Sequence, residues 1–140
     1  SQKREGHIPM QKKIRIVPLS LVLALCLSLC ANAAVLRMKN DFEYTPKVMV
    51  SRQTANCSLS VDASSAGPNA KIAADIDVQV KTSSGSYINI AGWTWTGTGT
   101  LSRSDPHTDS RISKGNCRMR YTITVNGSNG TDTVSGYVYG

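Results

Sequence analysis

The stretch Lys71-Ile-Ala-Ala-Asp-Ile-Asp-Val-Gln-Val-Lys81 decides the fold class of this 140-residue chain. Its even positions, from Ile72 to Val80, are all apolar, and its odd positions are mainly polar. Successive side chains of a β-strand point to opposite faces of the sheet. This alternation therefore predicts a strand with one face in a core and the other face in solvent.

Two further segments alternate in the same way and extend the prediction to a sheet. Residues 57–63 and 117–125 both place apolar side chains at odd positions, beginning with Cys57 and Cys117. Turn-forming residues separate the segments at 66–69, 83–86 and 126–130, and we expect hairpins there. The Asn-Gly-Ser-Asn-Gly sequence of 126–130 favours an antiparallel return into a last strand over 131–139.

The remaining segments complete an all-β prediction. Residues 87–101 are rich in Tyr, Ile, Trp and Thr, and their alternation shifts near Ala91-Gly92, which predicts a bulge. Residues 102–110 are predicted to form an exposed loop. In the N-terminal segment 34–56, Val48-Met49-Val50 predicts an edge strand, and the part before Pro46 is expected to be loosely ordered. Together these elements predict an antiparallel sandwich or a small barrel, and we favour a small sandwich of six to seven strands with its domain at 57–140.

The start of the chain has the three parts of a bacterial secretory signal peptide. Lys12, Lys13 and Arg15 follow Met10, an apolar run covers 16–29, and Ala31-Asn-Ala33 ends the stretch. The run is shorter than the roughly 20 apolar residues of a spanning helix. We predict cleavage of 10–33, with 1–9 an upstream or expression remnant, so that the protein is secreted to the extracellular space without a membrane span. Lipidation is disfavoured, because Leu residues precede Cys26 and Cys30.

Cleavage would leave two cysteines, Cys57 and Cys117, and an even pair in an exported chain favours a disulfide. It would close a loop of roughly 60 residues, for which chain entropy predicts about 4 kcal/mol of stabilisation. Two buried free thiols are the alternative. A metal site is disfavoured, because isolated cysteines lack the spacing of zinc ligands. We predict neither a metal nor a cofactor.

Part of the chain resembles immunoglobulin-like domains. The resemblance covers 57–140 and rests on two cysteines in separate strands, tryptophans between them, and the Gly-Asn-Cys-Arg-Met-Arg-Tyr sequence of 115–121, which is similar to the late hairpin of such domains. The tryptophans lie far after Cys57, however, and no Tyr stands two residues before Cys117. The chain is also similar to small exported β-sandwich proteins of Gram-positive bacteria, most of them uncharacterised. The resemblance implies a fold and a location, and it carries no site residues.

Four aromatic side chains are the candidate binding residues. Trp93 and Trp95 are two residues apart and project from the same face of a regular strand, and Tyr137 and Tyr139 do the same on the last strand. Exposed, such a pair would form a stacking platform for a sugar or a partner. Buried, it would be core, and for at least one tryptophan burial is favoured, since two exposed tryptophans reduce solubility.

Catalytic residues are not predicted. His107 lies between Asp105 and Asp109, a combination that could form a weak metal site or part of a Ser-His-Asp arrangement. A solvated loop is favoured instead, because Asp-Pro starts turns and the flanking polar side chains bond their own backbone. Asp75 and Asp77 share a strand face and could act as an acid and a base, yet the alternation places them on the polar side. We expect the protein not to be an enzyme.

The predicted function is a secreted, non-catalytic binding or interaction module for cell-envelope or host glycans or proteins. A small secreted toxin or antimicrobial effector is the alternative, and a hydrolase is the third. After cleavage the chain would contain 11 Lys and Arg residues and 8 Asp and Glu residues, and the basic residues form no long run in the sequence. Nucleic acid is therefore not expected as a partner. The oligomeric state is left open.

Overall fold

The computed structural model describes residues 38–140, and the predicted signal peptide and the residues before it lie outside them. Within this part the chain forms seven β-strands and one short 3-10 helix, Ser64–Ala66, and the predicted all-β class is confirmed. The strands are β1 (Glu43–Ser51), β2 (Thr54–Asp62), β3 (Lys71–Lys81), β4 (Tyr87–Thr98), β5 (Thr100–Thr108), β6 (Cys117–Gly127) and β7 (Gly130–Tyr139). Nowhere in residues 38–140 is there a helix with the length and apolar character that crossing a membrane requires.

The strands form a three-stranded and a four-stranded antiparallel sheet, as a small sandwich requires. The first sheet has the order β1-β2-β5 and the second the order β4-β3-β6-β7. The two sheets are linked at one residue pair, Thr98 with Thr100, where the chain turns at Gly99. Gly99 has a φ of 73°, a left-handed conformation that glycine adopts without a steric penalty.

The core lies between the sheets and consists of the alternating apolar residues that the sequence predicts. Ile72, Ile76 and Val80 of β3 are buried, and so are Cys57 of β2 and Cys117 of β6. Trp95 of β4 and Leu101 of β5 are also buried, and they lie near the Thr98–Thr100 pair that links the two sheets. The outward faces carry polar side chains, so the alternation follows the two-residue period of the strands.

The predicted loop at 102–110 is wrong for most of its length. Residues up to Thr108 belong to β5, whose backbone pairs with β2 from Thr54–Thr108 to Asp62–Thr100. β5 is an edge strand of the three-stranded sheet, where a proline such as Pro106 is tolerated and most side chains face solvent. Its polar composition reflects that edge position.

The sandwich also begins earlier than residue 57. β1 contains the predicted edge strand at Val48-Met49-Val50 but starts at Glu43 and passes through Pro46. It pairs with β2 along its whole length. The turn at 66–69 is not a hairpin, because it leads from β2 in one sheet to β3 in the other.

A β-bulge in β4 controls which side chains reach the outer face of the four-stranded sheet. Val78 pairs with Ala91, but the next residue of β3, Gln79, pairs with Asn89, so Ile90 is the extra residue. The predicted bulge is confirmed one position before Ala91. Because a shift of one residue exchanges the two faces of a strand, Tyr87 and Asn89 lie on the outer face, while Trp93 and Trp95 face the core.

Candidate functional site

The outer face of the four-stranded sheet gathers aromatic and basic side chains at one end. The strand register places Arg118 of β6 between Tyr139 of β7 and Gln79 of β3, and Gln79 opposite Asn89 of β4. Tyr137, one outward position along β7, lies opposite Arg120. These residues come from four strands and are far apart in the sequence.

Arg118 lies between two tyrosine rings. Its guanidinium carbon is 3.7 Å from the centre of the Tyr87 ring and 3.9 Å from that of Tyr137. The Tyr139 ring lies 5.9 Å from the same carbon and meets Tyr87 edge to face, with ring centres 6.4 Å apart. The three distances from the guanidinium carbon to the tyrosine rings are within the range of a cation–π interaction. We refer to Tyr87, Arg118, Tyr137 and Tyr139 as the tyrosine–arginine cluster.

Two members of the cluster offer aromatic surface to solvent. Tyr137 is 48% exposed and Tyr139 is 63% exposed. Apolar surface that is exposed at neighbouring positions is a common feature of interaction sites. The cluster is therefore the part of the described surface that is best suited to stacking against a planar group.

The cluster also carries positive charge that no carboxylate neutralises. Arg118 Nε donates a hydrogen bond to Gln79 Oε1 at 2.7 Å, and Nη1 donates one to the Tyr139 hydroxyl at 3.3 Å. Both acceptors are uncharged. Among residues 38–140, the ion pairs join Arg103 to Asp105, Arg111 to Asp109 and Arg120 to Asp77, and none includes Arg118 or Lys81.

Acidic side chains bound the cluster on one side. Arg120 Nε donates to Asp77 Oδ2 at 2.9 Å, and Thr94 donates to Asp75 Oδ1 at 2.8 Å on the same face. The two aspartates that could have formed an acid–base pair are thus held in separate surface contacts. Arg120 compensates the charge of Asp77, whereas Asp75 is in no ion pair with a described residue and leaves a negative charge in the middle of the face.

The predicted tryptophan platform does not lie on this face. Trp95 is 3% exposed and belongs to the core, and Trp93 is half-buried and packs against the core. The two rings stack on each other with centres 5.9 Å apart. The indole Nε1 of Trp95 is buried without a hydrogen-bond partner among the described residues. Of the four candidate binding residues, only Tyr137 and Tyr139 are exposed.

Cys57 and Cys117 face each other's sheet from within the core. Both are buried free thiols in the structure. Burial raises the pKa of the Cys57 thiol to about 12, with the neighbouring Cys117 as the second cause, and burial also raises the pKa of Cys117. No bond joins the two sulfur atoms in the structure, so the predicted disulfide stays a prediction.

The other sequence candidates are dispersed. His107 lies on β5, paired with Ala55 of β2, instead of in a loop. In the part of the chain that the structure describes, no three His, Cys, Asp or Glu side chains are grouped so as to hold a metal ion.

Sequence reasoning missed Arg118, Tyr87 and Gln79 as a group. Part of the signal was available, because the short β6–β7 connection fixes the register of the hairpin. Counting back from the Gly127–Gly130 pair places Arg118 opposite Tyr139 and Arg120 opposite Tyr137. Tyr87 could not be added, since its face depends on the bulge.

Comparison with known proteins assigns the chain to no family. No protein-family model matches the chain, and no curated protein is similar to it in sequence. Similar solved structures include the alkylpurine DNA glycosylase AlkC of Pseudomonas fluorescens, bound to DNA containing an abasic site analogue. The TM-score is 0.33 and the identity 15%, over 70% of this chain and 31% of the glycosylase chain.

This comparison contradicts two predictions made from the sequence. The similar protein is an enzyme bound to DNA, whereas we predicted a secreted, non-catalytic module and excluded nucleic acid as a partner. The second prediction considered basic residues only along the sequence, and the fold brings cations from separate strands together with aromatic rings. At this TM-score and identity the likeness gives no argument for a shared function, so any function must rest on the chain's own surface.

Proposed function

We propose that the tyrosine–arginine cluster binds single-stranded nucleic acid. The observation that carries the proposal is the position of Arg118, an arginine without a carboxylate partner that lies between two tyrosine rings on an exposed sheet face. Proteins that bind single strands combine aromatic side chains, on which bases stack, with positive charge along the backbone path. The cluster supplies both.

Stacking would be provided by Tyr137 and Tyr139. Every base has a π face, so stacking tolerates any sequence, and each base–aromatic contact is worth about 1–3 kcal/mol. Both rings are anchored on β7, a strand of the sheet, which limits the entropy lost on binding. Tyr87 is less exposed and serves to hold the guanidinium from the other side.

Phosphate contacts would be provided by Arg118 and Lys81. Among the described residues Arg118 forms hydrogen bonds through Nε and Nη1, which leaves Nη2 to donate to a phosphate oxygen. Lys81 ends β3 beside Tyr87, its partner in the register, at the same end of the sheet.

The acidic side chains favour one direction for the strand. Asp75 lies on the outer face nearer the middle of β3 and would repel a phosphate backbone that followed the β-strands. A nucleic-acid strand that crosses the sheet from β4 to β7 avoids it. That path covers three strand spacings, or about 14 Å, enough for a few nucleotides.

Titration of the protein into fluorescent oligonucleotides tests the proposal by anisotropy. Tyr137→Ala is expected to weaken binding of single-stranded DNA or RNA by about 5-fold to 150-fold, the equivalent of one lost stacking contact. Arg118→Gln should reduce the dependence of log affinity on log salt by about 0.7, as expected for one phosphate contact on a single strand. Arg103→Gln, on the other sheet, is the matched control and should change neither quantity.

Three results would contradict the proposal. One is the absence of binding by the wild-type protein at low salt. Another is an equal loss for Arg103→Gln and Arg118→Gln, which would indicate general charge attraction. The third is equal affinity for a sulfated polysaccharide, which would show that the face responds to polyanions without stacking bases.

A further inference from the structure

We infer that Gln79 is a positioning residue, which sets the orientation of Arg118 and with it the geometry of the tyrosine–arginine cluster. The inference rests on the proposed function for its binding consequence, but the positioning itself is a property of the free protein. Gln79 is 5% exposed, although it is polar and lies on the outer face of the sheet. The neighbouring side chains that contact it on that face include those of Arg118 and Asn89.

Both ends of the Gln79 amide are engaged. Its Oε1 accepts the hydrogen bond from Arg118 Nε at 2.7 Å, and its Nε2 donates to Asn89 Oδ1 at 2.6 Å. A carboxamide with both ends bonded has one orientation, because reversing it would place donor against donor at Arg118. Asn89 therefore fixes Gln79, and Gln79 fixes the direction of the guanidinium Nε–H.

The bulge at Ile90 makes this arrangement possible. With an unbroken register, Gln79 would pair with Ile90, and Asn89 and Tyr87 would point to the core face. The extra residue brings Asn89 opposite Gln79 and Tyr87 onto the face of Arg118. A bulge that redirects side chains beside a binding site is a common use of this irregularity.

Held in this way, Arg118 is oriented before a ligand arrives. Two tyrosine rings restrict its guanidinium plane from either side, and Gln79 restricts rotation within that plane. A phosphate contact then requires little further ordering of a long, flexible side chain. The positioning contributes to affinity although Gln79 does not touch the ligand.

Gln79→Met and Gln79→Glu separate positioning from packing. Methionine fills similar space without an acceptor, whereas glutamate keeps the acceptor for Arg118. In 15N-resolved NMR spectra of the free protein, the Arg118 Nε–H should exchange slowly with water in the wild type and in Gln79→Glu, and rapidly in Gln79→Met. Affinity for an oligothymidine should fall by about 10-fold in Gln79→Met, as for a lost hydrogen bond to a charged group. Gln79→Glu is compared by exchange alone, because its carboxylate would neutralise Arg118 and repel a phosphate.

Asn89→Ala gives a second test at an exposed position, where folding is not at risk. It should increase exchange at Arg118 Nε–H and weaken binding in the same direction, by a smaller factor. Gln53→Met, in the exposed turn between β1 and β2, is the control and should have no effect. Unchanged exchange and affinity in Gln79→Met would overturn the inference. If the wild type bound no oligonucleotide while the exchange differences appeared, the proposed function would fail and the positioning role would stand.

Discussion

Replacement of Trp95 by alanine should cost this domain a large part of its stability. The side chain is 3% exposed, and a tryptophan buries roughly 150–250 Å², which at about 25 cal/mol per Å² corresponds to about 4–6 kcal/mol. Measured costs of Trp→Ala in cores are about 3–5 kcal/mol, and we expect this range for Trp95→Ala. Trp93 is only half-buried, so Trp93→Ala should cost less.

The unpaired indole nitrogen provides a sharper test. A buried donor without an acceptor costs about 1–3 kcal/mol, and Trp95→Phe removes that donor together with part of the ring. The two effects oppose each other, so Trp95→Phe should cost far less than Trp95→Ala, about 1 kcal/mol or less.

Urea denaturation followed by circular dichroism measures both variants. Met49→Ala, at a side chain that is 60% exposed on the edge strand β1, is the control and should change stability by no more than about 0.5 kcal/mol. The melting temperature of Trp95→Ala should fall by at least about 12 °C. A loss below about 1 kcal/mol for Trp95→Ala, or equal losses for the alanine and phenylalanine variants, would refute the placement of this ring in the core.

Three other predictions follow from the sequence and the fold. We expect a Cys57–Cys117 disulfide in exported protein, contributing about 4 kcal/mol; intact mass under denaturing, non-reducing conditions checks it, and two alkylated thiols would exclude it. The Asp132 carboxylate accepts hydrogen bonds from the backbone N–H groups of Lys39 and Asn40, which lower its pKa. A pKa lowered by folding stabilises the folded state above the ordinary Asp pKa of about 4 and loses that contribution below it. Asp132→Asn should therefore be less stable than the wild type at pH 7, with the difference shrinking in acid; a difference independent of pH would contradict this. Mass spectrometry of secreted protein should show a chain starting at residue 34 or 35, and a retained apolar run would contradict cleavage.

The all-β class and most of the core could be predicted from the sequence by itself. Strand alternation has a period of two, so the residues of β3 that enter the core are visible without knowledge of its neighbours. The same is true of β6, and the phase of Cys57 and Cys117 follows directly from it. The shift in alternation near Ala91 also indicated the bulge in β4. The turn residues of 126–130 indicated the return, and Gly130 there has a φ of 118°, which glycine adopts without a steric penalty.

Only the tertiary structure decided what the exposed residues can do. Strand β5 is polar, and its pairing with β2 supplies the order that its composition does not indicate. The tyrosine–arginine cluster joins side chains of β4, β6 and β7, so it exists only once the sheet order is known. The face of Tyr87 depends on a single extra residue, Ile90, because a shift of one position exchanges inside and outside. Alternation determines which residues a strand buries, whereas register and sheet order determine which exposed residues meet.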